Sequence, residues 1–129
     1  MNGRFLLDTN IVVGLFADDP AIRGHFGQDP EVFISVAVLG ELYYGVQKSN
    51  RVDENLRRIN RFLADVVVIE TDAATAYEYG ILRNELRLKG RPIPENDLWV
   101  AAAARQHNLI LVSRDSHFAY VDGLKVESW

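Results

Sequence analysis

The sequence predicts an α/β fold organised around a mostly parallel sheet, and three observations carry that prediction. Short apolar runs alternate with longer stretches of helical periodicity, the pattern of βαβ units. A length of 129 residues, 48% of them hydrophobic, suits one domain that buries roughly two-thirds of its unfolded surface. No internal repeat, low-complexity stretch or linker divides the chain, so residues 1–129 read as a single unit.

Strands are expected at "RFLL" (4–7), "VFIS" (32–35), "VVVI" (66–69), "LILV" (109–112) and "LKVE" (124–127). The first helix runs from about Thr9 to Ala17 and stops at "DDP", because the residue before a proline is disfavoured in the helical region. A short helix fits 20–26. Ser35 caps a helix through "VAVLGELYYGVQK", and "DENLRRINRFLA" repeats Leu56, Ile59, Phe62 and Leu63 at helical spacing. Thr71 or Asp72 caps the long "AATAYEYGILRNELRLK", which Gly90 closes where a left-handed C-cap is wanted. Pro94 announces the last long helix, about 95–107, and Asn108 ends it.

Composition then removes whole classes of function. With 14 Lys and Arg against 18 Asp and Glu, the net charge of −4 is not that of a wholesale nucleic-acid binder, so any such contact must be local. The absence of cysteine excludes a disulfide framework, thiolate zinc sites and thiol catalysis. His25, His107 and His117 are scattered without ligand-like spacing, which makes zinc a poor candidate. The N-terminus lacks the basic-then-apolar build of a signal peptide, and no apolar run approaches the roughly 20 residues of a membrane span. The chain reads as soluble and cytoplasmic, with no membrane partner.

Four acidic residues stand in awkward places. Asp8 interrupts the apolar passage "RFLLDTNIVVGLF", where it or Thr9 can cap the first helix. Glu41 is the one charge in "VAVLGELYYGV", and its helical neighbours at three- and four-residue spacing are Ala37, Val38, Tyr44 and Gly45. A partly buried glutamate of this kind either finds a partner or curls to the surface. Asp97 shares a helix face with Val100, Ala101 and Ala104; the helix macrodipole alone favours an aspartate in a first turn. Asp115 follows "LILVSR", where a loop aspartate is ordinary.

Geometry couples these four. In an open parallel sheet, ligands sit outside the carboxyl ends of the strands, where the strand order reverses. Asp8 and Asp115 lie at such ends, and Glu41 can reach back to the same edge because helical side chains tilt toward the N-terminus. Three carboxylates share one rim if the second, first and fourth strands are neighbours; Asp97 joins them if its helix starts on that side. Two unit charges about 4 Å apart repel by roughly 4 kcal/mol at an effective dielectric of about 20, so a cation must compensate. All-oxygen ligands point to Mg²⁺ or Mn²⁺, which keep waters and bind phosphate oxygens.

Taken in order, "LLDTNIVV", "SVAVLGELYYGV", "IPENDLWVAAAA" and "LVSRDSHF" make the chain resemble a PIN-domain ribonuclease of the VapC toxin type, over essentially its whole length. The resemblance implies a three-layer α/β/α sandwich with about five parallel strands in the order 3-2-1-4-5. It implies an acidic catalytic and metal-holding site of Asp8, Glu41, Asp97 and Asp115, supported by Thr9 or Asn10 and by Ser113, where threonine is commoner in the family. It further implies a Mg²⁺-dependent endoribonuclease, with Mn²⁺ as substitute, acting on RNA as the toxin of a type II toxin–antitoxin pair. Such proteins are typically homodimers, also found as dimers of toxin–antitoxin heterodimers, and an antitoxin segment covers the acidic groove.

Two stretches fit an RNA backbone beside that groove. Residues 83–91, "RNELRLKGR", and residues 48–61, "KSNRVDENLRRINR", each carry a clear positive excess. Arg83, Arg87, Lys89 and Arg91 are the candidate contacts; ordinary solvated helix faces with Glu–Arg pairs explain the same charges. The first helix carries Ile11, Val12, Val13, Leu15 and Phe16, more apolar residues than one core-facing stripe needs, so part of it is expected to receive a partner helix. Two rivals compete. One is a Mg²⁺-dependent phosphoryl-transfer domain, haloacid-dehalogenase-like or receiver-like; the first kind wants an aspartate where Asn10 stands, and no lysine closely follows the fourth strand. A non-catalytic binding module on the same fold would have no need to gather like charges.

Overall fold

In the computed structural model, which describes residues 3–129, the first apolar run becomes the middle strand of the sheet. β1 (Arg4–Leu7) pairs in parallel with β2 (Glu31–Ser35), Phe5 opposite Val32. β3 (Val67–Ile69) lies beyond β2. On the other side β1 pairs with β4 (Ile110–Val112), Leu7 opposite Val112, and β5 (Val126–Glu127) closes that edge. All pairings are parallel and the order is β3-β2-β1-β4-β5, as the resemblance implies.

Both edge strands are shorter than their apolar runs. Each has one ladder partner, and Val67, Val68 and Val126 are exposed there, so fewer residues gain from pairing.

The helices are α1 (Thr9–Phe16), α2 (Pro20–Phe26), α3 (Val36–Lys48), α4 (Val52–Leu63), α5 (Ala73–Leu88) and α6 (Glu95–His107). A 3₁₀ helix, Ser116–Tyr120, which the periodicity does not announce, follows β4. The chain steps outward from β1 to β2 to β3, then crosses back to β4. Right-handed crossovers therefore put α1 to α4 on one face and α5 and α6 on the other. The step between β1 and β4 is where direction reverses, and a crevice opens outside their carboxyl ends.

Local chemistry sets the helix ends. Asp8 accepts the Thr9 N–H at 2.9 Å, Ser35 Oγ accepts the Val38 N–H at 3.2 Å, and Asp19 caps a helix whose first residue is Pro20. Asp72, rather than Thr71, caps α5 and forms a reciprocal capping box with Thr75. Gly90 takes φ +67° after α5, and Asn108 ends α6 in the left-handed region at φ 53°.

The alanines of α6 are buried on every side rather than along one stripe: Ala101, Ala102, Ala103 and Ala104 are all in the core, in a helix that packs on α5 and β4. Small side chains let this helix be enclosed. That places its first turn, with Asp97, at the crevice. Among the described residues no helix is long and apolar enough to cross a membrane.

Candidate active site

Because Leu7 and Val112 are in register, the next residues of the two strands, Asp8 and Ser113, emerge side by side; the Asp8 N–H donates to the Val112 carbonyl at 2.9 Å. Asp8 is 6% exposed and Ser113 3%. The Ser113 hydroxyl donates to Asp8 Oδ2 at 2.7 Å, and Asn10 Nδ2 reaches the same oxygen at 3.4 Å and Ser113 Oγ at 3.3 Å. Ser113 Oγ also accepts the Asp115 N–H at 3.0 Å, so one hydroxyl links the two aspartates.

Glu41 does return to this edge. The Thr9 hydroxyl donates to its Oε2 and the Asn96 amide to its Oε1, each at 2.6 Å. Thus a donor from α1 and one from α6 hold both oxygens of a carboxylate on α3. The sequence pattern offers Asn96 only as a capping residue beside Asp97, whereas this helix has no side-chain cap and Asn96 turns to Glu41.

The tightest group is Asp97, Asp115 and His117, one ligand atom of each lying within 4.8 Å of the others. His117 Nδ1 is 3.0 Å from Asp97 Oδ2 and 3.0 Å from Asp115 Oδ1. This corrects the view of the histidines as scattered bystanders. His117 arrives by way of the 3₁₀ helix, which Asp115 caps by accepting the His117 N–H at 2.9 Å. The cue in the sequence was only its place two residues after Asp115. Asp8 and Glu41 border this group without belonging to it.

The electrostatics are those of crowded anions. Burial raises the Asp8 carboxyl above its ordinary value of 3.8; hydrogen bonds from Ser113 and the Thr9 N–H oppose this, and the charges of Asp97 and Glu41 add to it. Asp97 is raised by burial, held back by the His117 hydrogen bond and pushed up by Asp115 and Glu41. His117 is raised from 6.5 by its hydrogen bond to Asp97 and by both aspartate charges. Among the described residues no Lys or Arg pairs with Asp8, Glu41, Asp97 or Asp115. With no Lys or Arg beside them and only the His117 imidazole between Asp97 and Asp115, these carboxylate oxygens fit a hard divalent cation.

A pH dependence follows for the metal-free protein. A carboxyl raised in the folded state binds more protons there than in the unfolded chain, between 3.8 and the raised value, so stability falls as pH rises through that window. The raised His117 acts in the same sense: its contribution is complete below 6.5 and is lost as pH rises through its folded value. Asp19 and Asp72 are lowered, so they lose stability only as pH falls below 3.8. Metal-free protein should therefore melt higher at about pH 6 than at about pH 8, and His117→Gln should shrink that difference. Thermal melts at both pH values, in chelator, check this; an equal or larger difference in the variant would contradict it.

The four candidate RNA-backbone cations differ in freedom. Arg83 pairs with Glu95 at 3.6 Å and Lys89 with Asp122 at 2.7 Å, whereas Arg87 and Arg91 have no carboxylate partner among the described residues. Arg87 binds the Asn84 side chain, and Arg91 lies over the Tyr120 ring.

On the opposite flank, α1, α3 and α4 enclose a groove of about 360 Å³ lined by Thr9, Val13, Phe16, Glu41, Gly45 and Arg58 among others. It opens on the acidic crevice through Glu41. Of the α1 apolar residues, Ile11 and Val12 are fully buried, Val13 is exposed, and Leu15 and Phe16 are half-buried.

A parallel α/β sheet with carboxylates gathered at its switch point is the arrangement of a PIN domain, and the chain belongs to that family, whose model matches residues 5–124. Within it the chain is a VapC-type ribonuclease. It is 37% identical to the tRNA(fMet)-specific endonuclease VapC of Shigella flexneri, with 98% of each chain covered. It is 35% identical to ribonuclease VapC2 of Haemophilus influenzae over the same share. The VapBC2 structure from Rickettsia felis, bound to a DNA fragment from its promoter, superposes with a TM-score of 0.90 at 33% identity, covering 97% of this chain and 98% of that one. The DNA-bound VapBC of Salmonella typhimurium gives 0.90 at 30% identity, covering 100% and 99%. Membership in this family sets the phosphoryl-transfer rival aside.

Proposed function

We propose that the chain, acting as one domain over residues 1–129, is a Mg²⁺- or Mn²⁺-dependent endoribonuclease and the toxin of a type II toxin–antitoxin pair in the cytoplasm. The carrying observation is the convergence of Asp8, Glu41, Asp97 and Asp115 on one crevice with no Lys or Arg to balance them, the His117 imidazole beside Asp97 and Asp115 being the one basic group there among the described residues.

In this reading Asp97, Asp115 and Asp8 hold the cation, and Glu41, fixed by Thr9 and Asn96, keeps its remaining lone pairs for the cation or the attacking water. Ser113 and Asn10 hold Asp8 in place. When bound, the metal supplies Lewis acidity, acidifying a water and offsetting charge that develops on the phosphodiester. Arg87 and Arg91, free of carboxylates, are the strongest backbone contacts, with Arg83 and Lys89 recruited from their ion pairs.

The tRNA(fMet) specificity in the names of the Shigella and Salmonella relatives makes initiator tRNA the first substrate to test. The solved VapBC neighbours support an antitoxin partner, and the groove beside α1 is the proposed seat for its helix, with the trailing segment over the acidic crevice. A homodimer, or a dimer of toxin–antitoxin heterodimers, is the proposed assembly.

The test incubates purified protein with initiator tRNA in Mn²⁺ or in chelator and maps the ends. Attack by water rather than by the RNA 2′-hydroxyl leaves a 5′-phosphate and a 3′-hydroxyl, and chelator abolishes cleavage. A 2′,3′-cyclic phosphate, or cleavage that survives chelation, would overturn the mechanism. In parallel, Mn²⁺ at about a hundred times its Kd should stabilise the fold by about 2.7 kcal/mol. Protein that neither gains stability from Mn²⁺ nor cleaves RNA would favour the binding-module alternative.

A further inference from the structure

Arg114 stands between Ser113 and Asp115, yet its side chain binds two other parts of the chain. Its Nε donates to the Trp129 main-chain oxygen at 2.6 Å and its Nη1 to Asp19 Oδ2 at 2.8 Å. Both acceptors are themselves anchored. The other oxygen of Asp19 caps α2 through the Ala21 and Ile22 N–H groups, at 3.0 and 3.3 Å. Trp129 is buried, with Phe5 and Phe26 edge-on at 5.1 and 5.8 Å and His25 stacked on it at 4.6 Å.

The main chain of the same residue turns toward the site. Its N–H donates to Asn10 Oδ1 at 3.2 Å, which leaves Asn10 Nδ2 facing Asp8 Oδ2 and Ser113 Oγ. Beyond the Ser113 N–H, which bonds the Glu127 carbonyl at 2.9 Å, the sheet ladder has ended. Between there and the 3₁₀ helix, Ser113 Oγ ties the turn to Asp8 on the inside, and the Arg114 side chain ties it on the outside to Asp19 and Trp129. A carboxylate on an untied turn binds a cation more weakly because ordering it costs conformational entropy on every binding event.

We infer that Arg114 is a positioning residue for the cation site: clasped by Asp19 and the Trp129 main-chain oxygen, it fixes the Ser113–Asp115 turn and orients Asn10, so that Asp8 and Asp115 are held ready for the metal. The inference rests on the metal-dependent reading above. It assigns α2 and the Trp129 end of the sheet, neither of which contributes a ligand, a part in metal affinity.

The test is calorimetric titration of metal-stripped protein with Mn²⁺, comparing wild type with Arg114→Gln, Arg114→Lys and Asp19→Asn. Loss of an outer group that orients ligands typically costs about 10- to 100-fold in metal affinity, and that rise in Kd is expected for Arg114→Gln. Arg114→Lys, which keeps the charge facing Asp19, should recover part of it. Asp19→Asn retains an oxygen to cap α2 and should shift Kd in the same direction, which decides the matter should Arg114→Gln not fold. In cleavage assays the KM for Mn²⁺ should rise while kcat at saturating Mn²⁺ changes less than about threefold, because the ligands themselves are intact. Variants with lowered Tm but wild-type Mn²⁺ affinity would make the clasp merely structural and overturn the inference alone. Wild-type protein that binds no Mn²⁺ would remove the metal reading and this inference with it.

Discussion

Asp97→Asn is expected to lower RNA cleavage by about a thousandfold or more while leaving the metal-free protein at least as stable as wild type. The two effects have one cause. Asp97 is raised by burial and by the charges of Asp115 and Glu41, so its ionised form is uncomfortable in the absence of a cation. A neutral amide of the same size removes that repulsion. It also removes an anionic ligand, and losing roughly 4 kcal/mol of charge stabilisation corresponds to about a thousandfold in rate. The Asn variant should still receive the His117 contact, so the turn carrying Asp115 need not collapse. Single-turnover cleavage with melts in Mn²⁺ and in chelator separates chemistry from folding. Activity within tenfold of wild type, or a full Mn²⁺ response in the melts, would show that Asp97 is not part of the cation site.

The strand runs and most helix ends were legible because they depend on neighbours along the chain. Pro20, Pro94, Gly90 and Asn108 act locally, and each stands where the structure ends or begins a helix. The order of the strands depends on contacts between distant residues, and composition and periodicity could not supply it; the resemblance did. His117 was invisible for a related reason. A five-residue 3₁₀ helix has no sustained periodicity, and the contact with Asp97 spans twenty residues of sequence. On α1 the expectation that part of the apolar surface is free agrees with an exposed Val13. With eight residues, mostly apolar, the pattern does not say which side chains face inward, and Val12, one of the five apolar residues, is fully buried. A charge there would test the core rather than the groove.

The groove itself is better tested at Gly45. This residue sits inside α3, exposed, and a Cβ added to it would meet nothing within 4 Å. Glycine in a helix interior costs roughly 0.5–1 kcal/mol relative to alanine, and leucine is also a good helix former. By the fold alone, Gly45→Leu should therefore be neutral or stabilising. It would, however, place an isobutyl group in the groove between Val13 and Arg58. An amphipathic antitoxin helix seated there needs that space for its own apolar side chains. Losing the central contacts of such an interface costs about 2–4 kcal/mol, or about 30- to 1,000-fold in Kd. Gly45→Leu should thus weaken antitoxin binding by at least about thirtyfold without lowering Tm, and relieve inhibition of RNA cleavage at the same antitoxin concentration. Val13→Glu, which sets a charge on the opposite wall beside Glu41, should act in the same direction. The measurement is binding of the co-encoded antitoxin to each variant, with cleavage assayed in the mixture. If both variants bind within about threefold of wild type and remain fully inhibited, the antitoxin docks on another face and the groove between α1, α3 and α4 is not its seat.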